Sequence, residues 1–195
     1  MSDIVVPGSS PDADIEAMKR LAEGDDLALN EIMNRWKNPL AAYLYRTTGS
    51  REVAADLSQE TFVRLYQSRE RYRPSAAFPT YLFHIASNLA RNHARWRKRH
   101  PSVSIEEFCL KMQELQGDDV SPDQAAVSKE WADCVDKALA RLPEDLREAL
   151  HLFTYEEMTQ HQIALTLGCS VKAVESRIYR ARQFLKEILL DLQKS

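Results

Sequence analysis

Apolar residues recur along this chain at spacings of three and four, the period of a helix, and almost nowhere alternate with polar ones as a strand face would. Ile15, Met18 and Leu21 mark a first helix over 14–23, which Gly24 and Asp25 end. A longer one over 26–48 carries Leu29, Ile32, Met33, Trp36, Leu40, Tyr43 and Leu44, with Pro39 expected to break or bend it. Gly49 stops that helix and Ser50 caps the next, where Val53, Leu57, Thr61 and Leu65 recur every fourth residue. After a loop over 68–77, a fourth helix opens at Phe78–Pro79 and runs to about Arg99, burying Leu82, Ile85, Ala86, Leu89 and Trp96. Pro101 ends this first bundle.

Periodicity then lapses over 101–127, a stretch with Gly117 and Pro122 that reads as a flexible acidic linker. Fully extended, it reaches roughly 80 Å. Beyond it, Trp131, Val135, Ala138, Leu139 and Leu142 define a helix that stops before Pro143, and Leu146, Leu150 and Phe153 stripe the next. The pattern is therefore all-α, with two small helical domains over 12–100 and 128–195 and a flexible tail over 1–11 rich in Pro, Gly and Ser.

The final two helices carry the sharpest local signal. Thr159 and Gln162 have the spacing of a capping box, Ile163, Ala164 and Leu167 give a short apolar stripe, and Gly168 stands where a left-handed residue ends a helix. Ser170 caps a second helix in which Val174, Ile178, Ala181 and Leu185 share one face. Lys172, Ser176, Arg180 and Gln183 occupy the other, flanked by Ala173 and Arg177. Two short helices about a Gly turn, the second basic on its outer side, form a helix-turn-helix over 160–179. Such a helix suits a DNA major groove, whereas a solvated basic helix closing a small bundle has the same pattern.

The net charge is only −3, but its distribution is uneven. Arg91, Arg95, Arg97, Lys98 and Arg99 fall together without an acid, the linker holds Glu106, Glu107, Glu114, Asp118, Asp119 and Asp123, and basic charge returns in the helix-turn-helix. Two basic patches about an acidic connector suit a protein that meets a polyanion at two places. Asn88, Arg91, Asn92 and Arg95 lie at helical spacing, with Arg69, Tyr72, Phe78 and Tyr81 in or beside the preceding loop. Guanidiniums and amides bind phosphates and bases, and aromatics stack unpaired ones, although aromatics beside a helix start also serve as core.

Catalytic and metal chemistry find no support. Cys109, Cys134 and Cys169 are scattered, no HxxxH pattern exists, and His84 and His93 fall on opposite faces of one helix. A phosphate loop, nucleophile elbow and dinucleotide fingerprint are all missing, so no cofactor, no metal and no enzyme activity are expected. Neither a signal peptide nor a run of membrane-spanning length occurs, which predicts a cytoplasmic protein without membrane insertion.

Several segments together resemble a known family. DLSQETFVRLY at 56–66, followed by FPTYLFHIASNLARNHARWRKR at 78–99, is similar to the second conserved region of bacterial sigma factors of the extracytoplasmic-function branch. LPEDLREALHLF at 142–153 with the helix-turn-helix resembles their fourth region, and GDDLALNEIMNRW at 24–36 resembles their usual start. The resemblance implies a subunit that binds core RNA polymerase, at the β′ clamp and the β flap, and directs it to promoter DNA with −10 and −35 elements. An anti-sigma factor is a further implied partner.

Residue roles follow from the resemblance alone. Asp56, Gln59, Glu60, Val63 and Arg64 match the polymerase-docking segment. Arg69, Tyr72, Phe78, Tyr81, Asn88, Arg91, Asn92 and Arg95 match the surface that meets the −10 element and receives a base flipped from the non-template strand. Lys172, Ala173, Ser176, Arg177 and Arg180 match positions facing the −35 element. Val53 and Ala55 stand where acids are common in the family, which thins the docking charge. Phosphorylation of Ser58 or Thr61 would restore it, unless Thr61 simply packs. Ala173 and Glu175 replace the frequent Thr and Lys, implying a different promoter preference. The competing reading is a free-standing helix-turn-helix regulator that binds duplex DNA as a dimer.

Overall fold

In the computed structural model, residues 11–74, 76–100, 135 and 138–192 are described, and the segments read as the tail over 1–10 and as the linker over 101–127 lie outside them. Helix α1 spans Pro11–Ala22, so Pro11 belongs to a helix rather than to the tail. Its fixed φ and missing N–H cost nothing in a first turn. Helices α2 (Leu27–Thr48), α3 (Arg51–Gln67) and α4 (Phe78–Arg99) follow, with a short 3-10 turn over Arg69–Arg71 inside the expected loop. Residues 138–141 are helical, and α5 (Glu144–Thr154), α6 (Gln160–Leu167) and α7 (Val171–Leu192) complete the order. No strand occurs among the described residues.

Pro39 neither breaks α2 nor ends it. Forgoing one backbone bond costs about 3 kcal/mol, and packing on either side offsets it: Ile32 and Trp36 before the proline and Leu40, Tyr43 and Leu44 after it are buried. Gly49, with φ of +72°, closes the helix by donating to the Tyr45 carbonyl, and Ser50 Oγ accepts from Val53 N to start α3. At the helix-turn-helix both local expectations appear. Thr159 Oγ1 accepts from Gln162 N while Gln162 Oε1 accepts from Thr159 N, and Gly168 adopts φ of +64° at the end of α6.

An aromatic cluster anchors the N-terminal helices. Phe83 meets Trp36 and Tyr43 edge-on, at centroid distances of 6.2 and 5.1 Å, and Phe78 tilts against Trp36 at 5.9 Å. Helix α1 is tied to this centre through the buried Asp14, whose carboxylate accepts from Arg35 Nε and Trp36 Nε1. Trp96, expected inside, is instead 54% exposed near the end of α4 and stacks on His100 with ring centroids 5.0 Å apart. The helix has outrun the bundle by that point.

The two halves share one apolar cluster. Ala149, Leu152, Met158, Ile163, Ala164, Leu167, Val174 and Ile178 from α5 to α7 are continuous with the core residues of α1 to α4. A smaller cluster of Leu142, Leu146, Leu150 and Ala181 lies within the C-terminal half. Helical stripes are wide enough to face two neighbours, which lets the two small helical domains share apolar contacts.

His151 is an unusual member of this packing. It is buried on α5, meets Tyr155 edge-on at 5.6 Å, and neither ring nitrogen has a hydrogen-bond partner. Burial, reinforced by Arg46 and Arg147, pushes its pKa down to about 3 from an ordinary 6.5. The unfolded chain thus takes up a proton near pH 6.5 that the folded chain refuses, and stability falls as pH drops from there toward 3. Glu148 and Glu156, raised by burial, act with the opposite sign as pH falls toward the ordinary carboxylate range. Comparing wild type with His151→Phe isolates the histidine: between pH 7.5 and 5.5 the wild type should lose about 1.4 kcal/mol more in urea unfolding. Equal losses in the two proteins would refute the assignment.

Candidate nucleic-acid and polymerase interface

Helix periodicity sorts α3 into two sides. Ser58 and Thr61 face inward, Thr61 fully buried and donating to the Leu57 carbonyl, so neither hydroxyl is presented for modification and Thr61 packs. Asp56, Gln59 and Arg64 are exposed on the other side, with Val63 47% exposed and Glu60 half-buried. Glu60 pairs with Arg64 one turn later at 2.8 Å. An exposed valine within a polar face is a feature that solvent alone does not favour.

Residues singled out around the loop before α4 divide between surface and core. Arg69 lies over the Tyr66 ring at 4.1 Å and donates to the Tyr66 carbonyl. Tyr81 is half-buried, its hydroxyl 2.7 Å from Ser68 Oγ and its ring 5.1 Å from Tyr72. Tyr72 and Phe78, however, are 8% and 1% exposed, and burial pushes the Tyr72 phenol up to about 12. Neither presents a free face to a base. They pack because they bracket the start of α4 at the level of Trp36.

Along α4 the polar residues fan out from a buried root. Asn92 and Arg95 are exposed, whereas Asn88 and Arg91 are half-buried, with Arg91 turned toward the C-terminal half. Arg91 Nη1 donates to the Leu167 carbonyl at 3.0 Å and Nη2 to Ser87 Oγ at 2.8 Å. His84 Nδ1 donates to the Thr166 carbonyl at 2.8 Å while Nε2 accepts from Asn88, which places the ring proton on Nδ1. Farther out, Lys98 reaches Glu144 at 3.3 Å.

Glu148 of α5 completes this contact and was not anticipated. It is 3% exposed, accepts from Tyr43 Oη at 3.0 Å and from Ser87 Oγ at short range, and has Arg91 Nε 4.0 Å away. Burial raises its pKa, opposed by Ser87, Arg91 and Tyr43, while burial and the carboxylate together hold the Tyr43 phenol well above its ordinary range. Tyr43 remains a donor. A second bridge joins Arg46 of α2 to the buried Glu156 at 2.7 Å. One clue lay in spacing: Glu148 stands on the same α5 stripe as Leu152, an acid where an apolar residue is due.

On α7, Lys172, Ser176 and Arg180 are exposed on the outer face, with Ala173 half-buried. Arg177 is half-buried too and engaged within the domain, 3.5 Å from both Asp145 and Cys169 Sγ. The outer face therefore offers Lys172, Ser176 and Arg180 directly, and Arg177 only after exchanging its partner. Among the described residues, no His, Cys, Asp and Glu group is arranged to hold a metal ion, and no helix is long and apolar enough to cross a membrane.

A helical chain with an exposed polar face on α3, a basic helix and a helix-turn-helix has the features of a DNA-binding protein. Comparison with known proteins makes the class specific. Residues 32–100 match the family model for sigma-70 region 2, and residues 132–185 match that for sigma-70 region 4. The sigma-H factor of Pseudomonas aeruginosa is 31% identical over 184 residues, covering 92% of this chain and 95% of the relative. The extracytoplasmic-function sigma-E factor of Haemophilus influenzae is 33% identical over 181 residues, covering 90% and 94%. Among solved structures, CnrH in complex with the cytosolic domain of CnrY aligns with a TM-score of 0.67 and 27% identity, over 93% of this chain and 99% of that one. The chain belongs to the extracytoplasmic-function branch of the sigma-70 family of RNA polymerase sigma factors.

Burial of Phe78 separates a structural from a DNA-contacting role. Phe78→Ala should cost about 3–5 kcal/mol in chemical denaturation, as removal of a packed aromatic does. A variant as stable as wild type would return Phe78 to the list of candidate stacking residues.

Proposed function

We propose that this chain binds core RNA polymerase through the α3 face of Asp56, Gln59, Glu60, Val63 and Arg64, and directs it to promoters read at two elements. Region 4 engages the −35 duplex through the outer face of α7, where Lys172, Ser176 and Arg180 reach bases or phosphates and Arg177 joins after leaving Asp145. Arg69, Tyr81, Asn88, Arg91, Asn92 and Arg95 on and before α4 engage the −10 element as its strands part. The chain performs no catalysis of its own. Its contribution is binding energy: contacts to the displaced strand offset unstacking, so the duplex opens without a separate fuel.

The observation that carries this reading is the joint presence of an uncovered polar α3 face with an exposed valine and an exposed basic face on α7. A free-standing regulator needs the second and has no use for the first. Release and capture by an anti-sigma factor belong to the same proposal, supported by the complexed state of CnrH with the cytosolic domain of CnrY.

Run-off transcription with purified bacterial core enzyme tests the whole. Transcription should depend on the chain. Asp56→Lys with Gln59→Ala should abolish co-elution with core while leaving duplex binding intact. Arg180→Ala should weaken promoter binding by about 1–3 kcal/mol at one base position if it reads a base, or uniformly with a shallower salt dependence if it holds a phosphate. Duplex binding by a dimer that never co-elutes with core would replace this reading with that of a free-standing regulator.

A further inference from the structure

We infer that Glu175 of α7 reads a base, accepting from the amino group of a cytosine in the −35 duplex and selecting against the other bases at that position. The inference rests on the −35 reading proposed above and gives it a base preference. It starts from which edge of α7 is open.

The outer face of α7 has two edges, and they differ. Along one, Ala173 and Arg177 are half-buried, and Arg177 is engaged with Asp145 and Cys169 Sγ. On the opposite edge Glu175 is exposed and Tyr179, one turn on, is 65% exposed. Lys172, Ser176 and Arg180, also exposed, stand between the two edges. Among the described residues neither Glu175 nor Tyr179 has a hydrogen-bond, ion-pair or ring partner. Glu175 is the fifth residue of α7, near the end that a recognition helix turns to base edges. The helix thus offers the groove a free carboxylate on one edge while Arg177 is withheld on the other.

A carboxylate on such a face gains nothing from the DNA backbone, since phosphates repel it. Its use lies in the bases. An ionised carboxylate only accepts hydrogen bonds, and in the major groove guanine shows N7 and O6 and thymine shows O4, all acceptors. Adenine sets its amino group beside the acceptor N7. Cytosine alone presents an amino donor with no acceptor next to it. Glu175 is therefore satisfied by cytosine and left desolvated and unpaired by guanine and thymine, which selects as much by exclusion as by attraction. Lys172 and Arg180 hold the neighbouring phosphates that would otherwise repel it, and the Tyr179 ring covers the groove beside the carboxylate and keeps water from the contact.

Promoters randomised across the −35 element and transcribed by core enzyme carrying the full chain test this, with transcripts sequenced to score each base. Wild type should favour cytosine about tenfold at one position of one strand. Glu175→Gln should move that preference to adenine and Glu175→Arg to guanine at the same position, because an amide pairs with N6 and N7 and a guanidinium with O6 and N7. A misfolded variant loses transcription and cannot change its choice of base. Tyr179→Phe should keep the cytosine preference and Tyr179→Ala should narrow it. A selective wild type whose preference is the same in both Glu175 variants, or a Glu175→Gln chain that gains equally on every sequence, overturns the assignment and leaves Glu175 a solvated surface charge. A wild type that supports no transcription on any member of the pool overturns the promoter reading, and this assignment with it.

Discussion

A carboxylate cannot leave water without partners, and Glu148 has left water almost completely. Its partners come from two other helices: Tyr43 from α2, Ser87 and the more distant Arg91 from α4. Removing one member of such a set costs about 3–5 kcal/mol, because the remaining charge is stranded in an apolar setting. The orientation of α5 against α2 and α4 therefore follows from where those hydroxyls stand. With α5 placed, the turn that follows it delivers Glu156 to Arg46, and α6 arrives with its last carbonyls over His84 and Arg91.

The same constraint fixes how the two halves pack. Shape complementarity of apolar faces would permit several arrangements of two small bundles, whereas a buried acid with three satisfied contacts permits few. Region 4 comes to rest on α4, whose His84 and Arg91 meet the last carbonyls of α6, while Asp56 and Gln59 of α3 and Lys172 and Arg180 of α7 stay exposed.

Local features of the fold were legible in the residues. The capping box at Thr159, the left-handed Gly168, the Ser50 cap and the apolar stripes of α2, α3 and α7 depend on contacts within a few residues, so spacing suffices to find them. Pro39 and Trp96 show where that logic stops. Pro39 does not interrupt α2 because buried residues on both sides of it keep the helix continuous, and Trp96 fell on the right stripe of a helix but is left exposed near its end. Tyr72 and Phe78 had two uses open to them, core or base platform, and only the position of Trp36 and its neighbours assigns them to the core.

By itself the sequence determined the helices, their ends, the helix-turn-helix and membership of the family, because each is encoded in short-range spacing or in motifs that survive without coordinates. Tertiary structure alone decided that the two halves share a core, that His84 and Arg91 meet α6, that Arg177 is held by Asp145, and that Glu148 is an internal partner. The reason is distance along the chain. Tyr43 and Glu148 are 105 residues apart, and no periodicity relates groups that meet only when separate helices pack.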